Sequence, residues 1–152
     1  MKKIILILSI AGILFSCNQQ VADQSVRAEK EIMLADQAMS DLASQQGFSS
    51  ALYQYADSEL VKFSDRSLPI IGKAAYADSI KGKNGTKDLS WSPVRAWAAR
   101  SGDIGFSWGN WKFVKPDTIY YGCYFTAWKK HKDGSWKWVI DGGNDTPAPR
   151  VK

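Results

Sequence analysis

Three aspartates fall near expected strand or helix ends: Asp57, Asp65 and Asp141. A carboxylate drawn into an apolar cavity loses hydration, so its pKa rises and it can move a proton near neutral pH. Tyr55, Tyr120 and Tyr124 could donate a hydrogen bond to an oxyanion formed beside such a group. Each aspartate also has a plain structural reading. Asp57 would end or cap a helix, Asp65 would sit in a turn, and Asp141 would accept backbone amides at the end of the last strand. Asp65 and Asp141 are kept as weak catalytic candidates, and Tyr55, Trp97, Trp108, Tyr124 and Asp141 as pocket candidates. The only histidine, His131, lies on an expected hairpin tip, away from where a pocket should form. No cysteine or second histidine joins it as a metal ligand, so neither a metal nor a cofactor is expected. Without a His–Asp pair, a binding domain is favoured over an enzyme.

The chain has 152 residues, room for one domain and a tether. Lys2 and Lys3 precede a mostly apolar run over residues 4–15. A bilayer span needs about 20 residues, so the layout is that of a secretory signal. Its end, Leu14-Phe15-Ser16-Cys17, resembles a bacterial lipoprotein signal, with Leu three places before the cysteine and a small residue just before it. Phe15 is larger than the usual residue there. An ordinary signal peptide cleaved nearby is the alternative. The resemblance implies that Cys17 is diacylated and becomes the mature N-terminus. It would hold the protein to a lipid bilayer of the bacterial cell envelope, in the periplasm or at the cell surface, since two acyl chains anchor stably.

With Cys17 acylated only Cys123 remains, so no intramolecular disulfide can form. Cys123 lies among Tyr120, Tyr121, Tyr124 and Phe125 and is expected as a buried structural thiol. The formal charge of +5 includes Lys2 and Lys3. Lys129-Lys130-His131-Lys132 is read as a solvated turn, with weak attraction to anionic headgroups or polysaccharide as the alternative. An exported protein of this kind is not expected to bind nucleic acid.

These residues must be placed by the elements around them. Residues 1–16 are read as the signal, 17–27 as a flexible tether, 28–144 as the domain and 145–152 as a loose tail. Ile32, Ala35, Met39, Leu42 and Ala43 make one apolar helical face, which Gly47 ends. A shorter helix follows, capped by Ser49 or Ser50. Residues 60–63 read as a strand and 73–81 as a third helix. All seven tryptophans fall between Trp91 and Trp138. There, four strands are expected over about 89–100, 104–114, 119–130 and 135–141. Ser101-Gly102-Asp103, Pro116-Asp117 and Asp133-Gly134 turn them. Gly105, Gly109 and Gly122 inside strands suggest bulges or bends. Helices before an antiparallel sheet mean α+β. The strand over 119–130 is apolar on both faces, which asks for a cover on its outer side. A dimer partner supplies one; a bulge that shifts the phase is the competing explanation.

The ordered pieces resemble the NTF2-like superfamily, and within it the SnoaL-like domains of the DUF4440 type. They are Ala35-Asp36, Gly47-Phe48-Ser49-Ser50-Ala51, Pro69-Ile70-Ile71-Gly72-Lys73, Trp91-Ser92-Pro93, Ser101-Gly102-Asp103-Ile104-Gly105, Trp128-Lys129-Lys130, Asp133-Gly134-Ser135-Trp136-Lys137 and Asp141. The likeness spans residues 28–143. It implies a cone-shaped, cystatin-like fold in which a strongly bent sheet wraps around N-terminal helices and leaves a cavity at its open end. It also implies a homodimer through the outer sheet face. Some relatives are cyclases, dehydratases or isomerases that use an Asp with His or Tyr in the cavity; others only bind ligands. The expected function is therefore a membrane-anchored domain taking a small apolar or aromatic ligand. The alternatives are a cyclase- or isomerase-type enzyme using a cavity Asp, or a structural dimerisation module.

Overall fold

The first helix, α1 (Ser25–Gln46), buries a stripe of Ala28, Ile32, Asp36, Met39, Ser40 and Ala43. The structure is a computed structural model that describes residues 22–149. The signal, Cys17 and its expected lipid, and residues 150–152 lie outside the described residues. Helix α1 starts three residues before the expected position 28. Its first turn is anchored: the Gln24 backbone N–H donates to the Arg100 carbonyl, and the Gln24 carbonyl accepts from Ala28. Gly47, at φ 96°, ends α1 and also caps α2 (Phe48–Tyr55), in place of the serine cap expected there. That backbone angle suits glycine.

Strands β1 (Ala56–Lys62) and β2 (Ile70–Ile71), helix α3 (Lys73–Ile80), and strands β3 (Leu89–Ala98), β4 (Ile104–Lys115), β5 (Thr118–Lys130) and β6 (Trp136–Thr146) follow. One sheet holds all six strands in the order β2-β1-β6-β5-β4-β3. The architecture is α+β, helices packed on a curled sheet. The sheet is mixed rather than wholly antiparallel, because β1 runs parallel to β6. Strand β6 continues past Gly142-Gly143 to Thr146, which pairs with Tyr121. A glycine pair ends a strand only where no neighbour offers a ladder, and here β5 does.

The core lies between α1, α2 and the inner sheet face, around Trp91, Trp128, Trp136 and Trp138. Burying such a side chain stabilises by about 2–3 kcal/mol, provided its polar N–H finds a partner. All four do. Trp138 donates to the Leu52 carbonyl at 2.8 Å, Trp128 to Ser107 at 2.8 Å, Trp136 to Glu31 at 3.0 Å and Trp91 to Asp36 at 2.8 Å. Edge strand β3 would expose unpaired backbone groups. At Trp91, Ser40 of α1 fills that need, accepting from the backbone N–H at 3.0 Å and donating to the carbonyl at 2.7 Å.

Gly105, Gly109 and Gly122 do not sit at bulges, which occur instead between Pro93 and Arg95 and between Ala127 and Trp128. Each of the three faces an aromatic residue on the adjacent strand: Gly105 opposite Trp128, Gly109 opposite Tyr124, Gly122 opposite Trp111. The outer face carries Trp97, Phe106, Trp108 and Phe125, which are 44%, 49%, 37% and 48% exposed. Cys123 lies on that face too, half-buried with its thiol 3.3 Å from Asn144 Oδ1. The expected buried thiol is thus corrected by strand phase: Cys123 points outward from β5, where no second layer among the described residues covers it.

At Gly105 a side-chain methyl would stand 2.5 Å from Ile32 Cδ1. It would also crowd the Trp97 carbonyl of β3, which as backbone yields less easily than the tip of Ile32, so Gly105→Ala should strain the β3–β4 pairing and lower stability by about 2 kcal/mol, read from the urea midpoint. An unchanged midpoint would show that β3 and Ile32 both yield freely at this point.

Candidate functional site

At the end of the sheet where β6 finishes, the layers part and leave an open cavity of about 550 Å³. That is within the range of small-molecule sites. Its walls are Phe48 and Leu52 from α2, Leu89 and Trp91 from β3, Trp111 from β4 and Tyr124 from β5. Trp91 sits edge-on to Phe48 and to Tyr124, with ring centroids 5.9 and 6.5 Å apart. The rim carries Phe63, Asp65, Asn144 and Asp145.

A polar row crosses one wall. Lys62, Asp141 and Thr126 stand on neighbouring strands in register. Lys62 Nζ donates to Asp141 Oδ1 at 2.7 Å, and Thr126 Oγ1 donates to Asp141 Oδ2 at 3.1 Å. Both charged side chains are 14% exposed. The Lys62 ammonium also lies 5.6 Å from the centre of the Phe48 ring.

Behind the aromatic wall is Asp36, a fully buried carboxyl. Trp91 Nε1 donates to its Oδ1 and the Tyr124 hydroxyl to its Oδ2, both at 2.8 Å. Burial pushes the Asp36 carboxyl above its ordinary range, against the opposing influence of Ser107, Trp91 and Tyr124. Burial and the neighbouring Asp36 carboxyl also push the Tyr124 hydroxyl well up, so it stays protonated near neutral pH. While Asp36 is charged, the Tyr124 proton is committed to it. The phenol oxygen then offers the cavity an acceptor rather than the oxyanion donor expected of it.

The sequence-derived candidates separate clearly. Asp141 and Tyr124 line the cavity, and Asp65 stands on its rim, exposed and 3.5 Å from Arg66. Tyr55, Trp97 and Trp108 do not line it. Tyr55 lies beneath the Lys137 ammonium, and Arg95 lies 4.8 Å from the Trp97 ring on the outer face. The bulge after Pro93 reverses the phase of β3 and turns Trp97 outward. Trp108 faces outward because the inner face of β4 belongs to Gly105, Ser107 and Gly109, where α1 and the facing rings approach. Tyr120 is 45% exposed and tilted against Phe113, also outside the cavity.

A His–Asp pair does exist, contrary to expectation, but away from the cavity. His131 Nε2 lies 2.7 Å from Asp57 Oδ2. Because β1 runs parallel to β6, the start of β1 lies beside the hairpin that precedes β6. Asp57 is buried and also accepts from the Glu59 backbone N–H at 2.9 Å. Burial pushes its carboxyl up, but the Glu59 amide, His131 and Lys129 outweigh that and hold it below the usual range. The residue missed by the sequence reading is Asp36. Its signal is its place four residues after Ile32, on the buried stripe of α1, where a carboxylate needs dedicated partners.

No protein-family model matches the chain, and no curated protein matches it. Solved structures do. An NTF2-like protein with a cystatin-like fold from Novosphingobium aromaticivorans superposes with a TM-score of 0.60 at 14% identity, covering 82% of this chain and 85% of that one. A ketosteroid isomerase-like protein from Erwinia carotovora atroseptica gives 0.58 at 15% identity, covering 77% and 98%. An NTF2-like superfamily protein from Salmonella enterica gives 0.58 at 13% identity, covering 83% and 96%. With its helices packed on a curled mixed sheet, this chain has the NTF2-like, cystatin-like fold.

Proposed function

We propose that this domain binds a small apolar or aromatic molecule in its open cavity, without transforming it. The observation that carries the reading is the state of the cavity's acid and base groups. Asp141 is engaged by Lys62 and Thr126, Asp36 lies behind the wall with Trp91 and Tyr124 on it, and Asp65 and Asp145 are exposed on the rim, where no apolar surround raises their basicity. His131 is outside the cavity, on Asp57. An isomerase- or cyclase-type reaction needs a carboxylate that faces the ligand free of a counter-ion. The aromatic walls are suited to holding rings. A SnoaL-like position within the NTF2-like proteins belongs to the same proposal and is supported by the motifs quoted above.

The proposal extends to how the domain is held. Cys17 carries two acyl chains and fixes it to an envelope membrane; the Leu14-Phe15-Ser16-Cys17 motif supports this. A second copy covers the outer sheet face. That is supported by Trp97, Phe106, Trp108 and Phe125, which together form an apolar patch too concentrated for a solvated sheet face.

Three measurements test these points. Calorimetry with methylnaphthalene should show saturable one-to-one binding, weakened about tenfold by Phe48→Ala, which removes a wall ring. If neither this nor any charged analogue binds, the cavity is not a ligand site. Sedimentation of residues 22–152 should show a dimer that Trp108→Lys converts to monomer; a wild-type monomer overturns the pairing. The mass of the mature protein should exceed its polypeptide mass by the acyl groups on Cys17, and an unmodified residue 17 refutes the anchor.

A further inference from the structure

The cavity's polar groups are biased toward one kind of guest. Four of its side-chain donor groups already hydrogen-bond the protein's own carboxylates: Lys62 and Thr126 to Asp141, Trp91 and Tyr124 to Asp36, the Lys62 ammonium keeping two further N–H groups. Asn144 donates to the Asp145 carbonyl at 2.9 Å. The acceptors keep spare lone pairs even where, as at Asp141, they are engaged: the Tyr124 oxygen and the carboxylates of Asp65, Asp141 and Asp145 all line the cavity. Against those three carboxylates the cavity lining has one cation, Lys62, paired with Asp141. The Arg66 guanidinium beside Asp65 is fully out in solvent, where pairing is strongly screened.

Lys62 shows what such a setting holds. Its ammonium is seated between Asp141, at 2.7 Å, and the face of Phe48, at 5.6 Å. A carboxylate on one side and an aromatic face on the other is a good environment for an alkylammonium group. Lys62 is carried on a flexible four-carbon stem close to the rim residues Phe63 and Ser64. Another rotamer of that stem would leave the seat to a guest.

We infer that the cavity selects apolar molecules bearing a protonated amine, with the ammonium on Asp141 in the seat of Lys62 and the apolar part against Trp91 and Trp111. This rests on the cavity being a ligand site and adds the charge class of the ligand. In it, Lys62 is a built-in competitor that lowers affinity, rather than a donor that captures a carbonyl or carboxylate.

The test uses one ring system with three substituents: naphthylmethylamine, methylnaphthalene and naphthoate. The amine should bind about tenfold tighter than methylnaphthalene, and naphthoate weakest. Lys62→Met should tighten the amine about tenfold and leave methylnaphthalene unchanged. Asp141→Asn should weaken the amine about tenfold, again sparing the neutral probe. Both variants need to show the wild-type near-ultraviolet circular dichroism, and either one alone decides the matter. If naphthoate binds best, or Lys62→Met weakens naphthoate and leaves the amine unchanged, Lys62 is an anion receptor and the inference fails while the ligand site stands. If methylnaphthalene binds as tightly as the amine, the charge selectivity fails alone. If no probe binds, the ligand site and the inference fail together.

Discussion

One buried carboxylate sets the position of most of what surrounds the cavity. Taking an aspartate out of water costs several kcal/mol unless hydrogen bonds replace its hydration. Asp36 recovers much of that from Trp91 of β3 and Tyr124 of β5, with Ser107 of β4 also favouring its charged form. The three residues come from three consecutive strands, so α1 can satisfy its carboxylate in only one register on the sheet. One turn later Ser40 repeats the constraint on the backbone of Trp91. Trp91 and Tyr124 are also cavity walls. The polar arrangement that locks the helix in place thus orients the rings that a ligand would meet.

The same demand for partners explains why the polar groups form closed sets. Every buried side-chain nitrogen and oxygen among the described residues has a hydrogen-bond partner. Asp36 serves the aromatic wall, Asp141 gathers Lys62 and Thr126, and Glu31 joins α1 to the β5–β6 hairpin through Lys130 at 2.5 Å and Trp136 at 3.0 Å. Asp57 and His131 close the opposite end of β1. A carboxylate that stabilises a fold in this way is poorly placed to exchange protons with a guest. The proposed reading of recognition over catalysis draws more on that than on the mere scarcity of histidine.

Much of the fold could be read from the sequence because its signals are local. The stripe on α1, the turn at Asp133-Gly134 and the strand alternation in β4 each depend on a few adjacent residues. What could not be read depends on distant pairing. The parallel match of β1 to β6 brings Asp57 to His131 from 74 positions away, and no local pattern encodes it. The bulge after Pro93 reverses β3 in the middle of an even alternation, so Trp91 and Trp97 point to opposite faces although six residues apart. Asp36 was hidden for a different reason. A polar residue within an apolar helical stripe looks like an interruption of the pattern, when it marks the place where the helix is tied down.

The glycines show how the cavity itself arises. On the inner face of β4 and β5, Gly105 faces Trp128, Gly109 faces Tyr124 and Gly122 faces Trp111, with only Ser107 and Thr126 between. At Gly109 a side-chain methyl would stand 2.8 Å from Cε1 of Tyr124, so that ring lies over the glycine. Large rings laid across residues with no side chain keep the inner layer thin. Strand register, rather than the number of tryptophans, therefore determines which aromatics become wall and which become core. At the helix-covered end the glycine admits Ile32 and the cone is filled. At the other end no helix descends as far, and the space over Trp111 and Tyr124 stays open. What distinguishes this cavity chemically is then the row of Lys62, Asp141 and Thr126 along its side, where an ion pair of the sheet meets the aromatic lining.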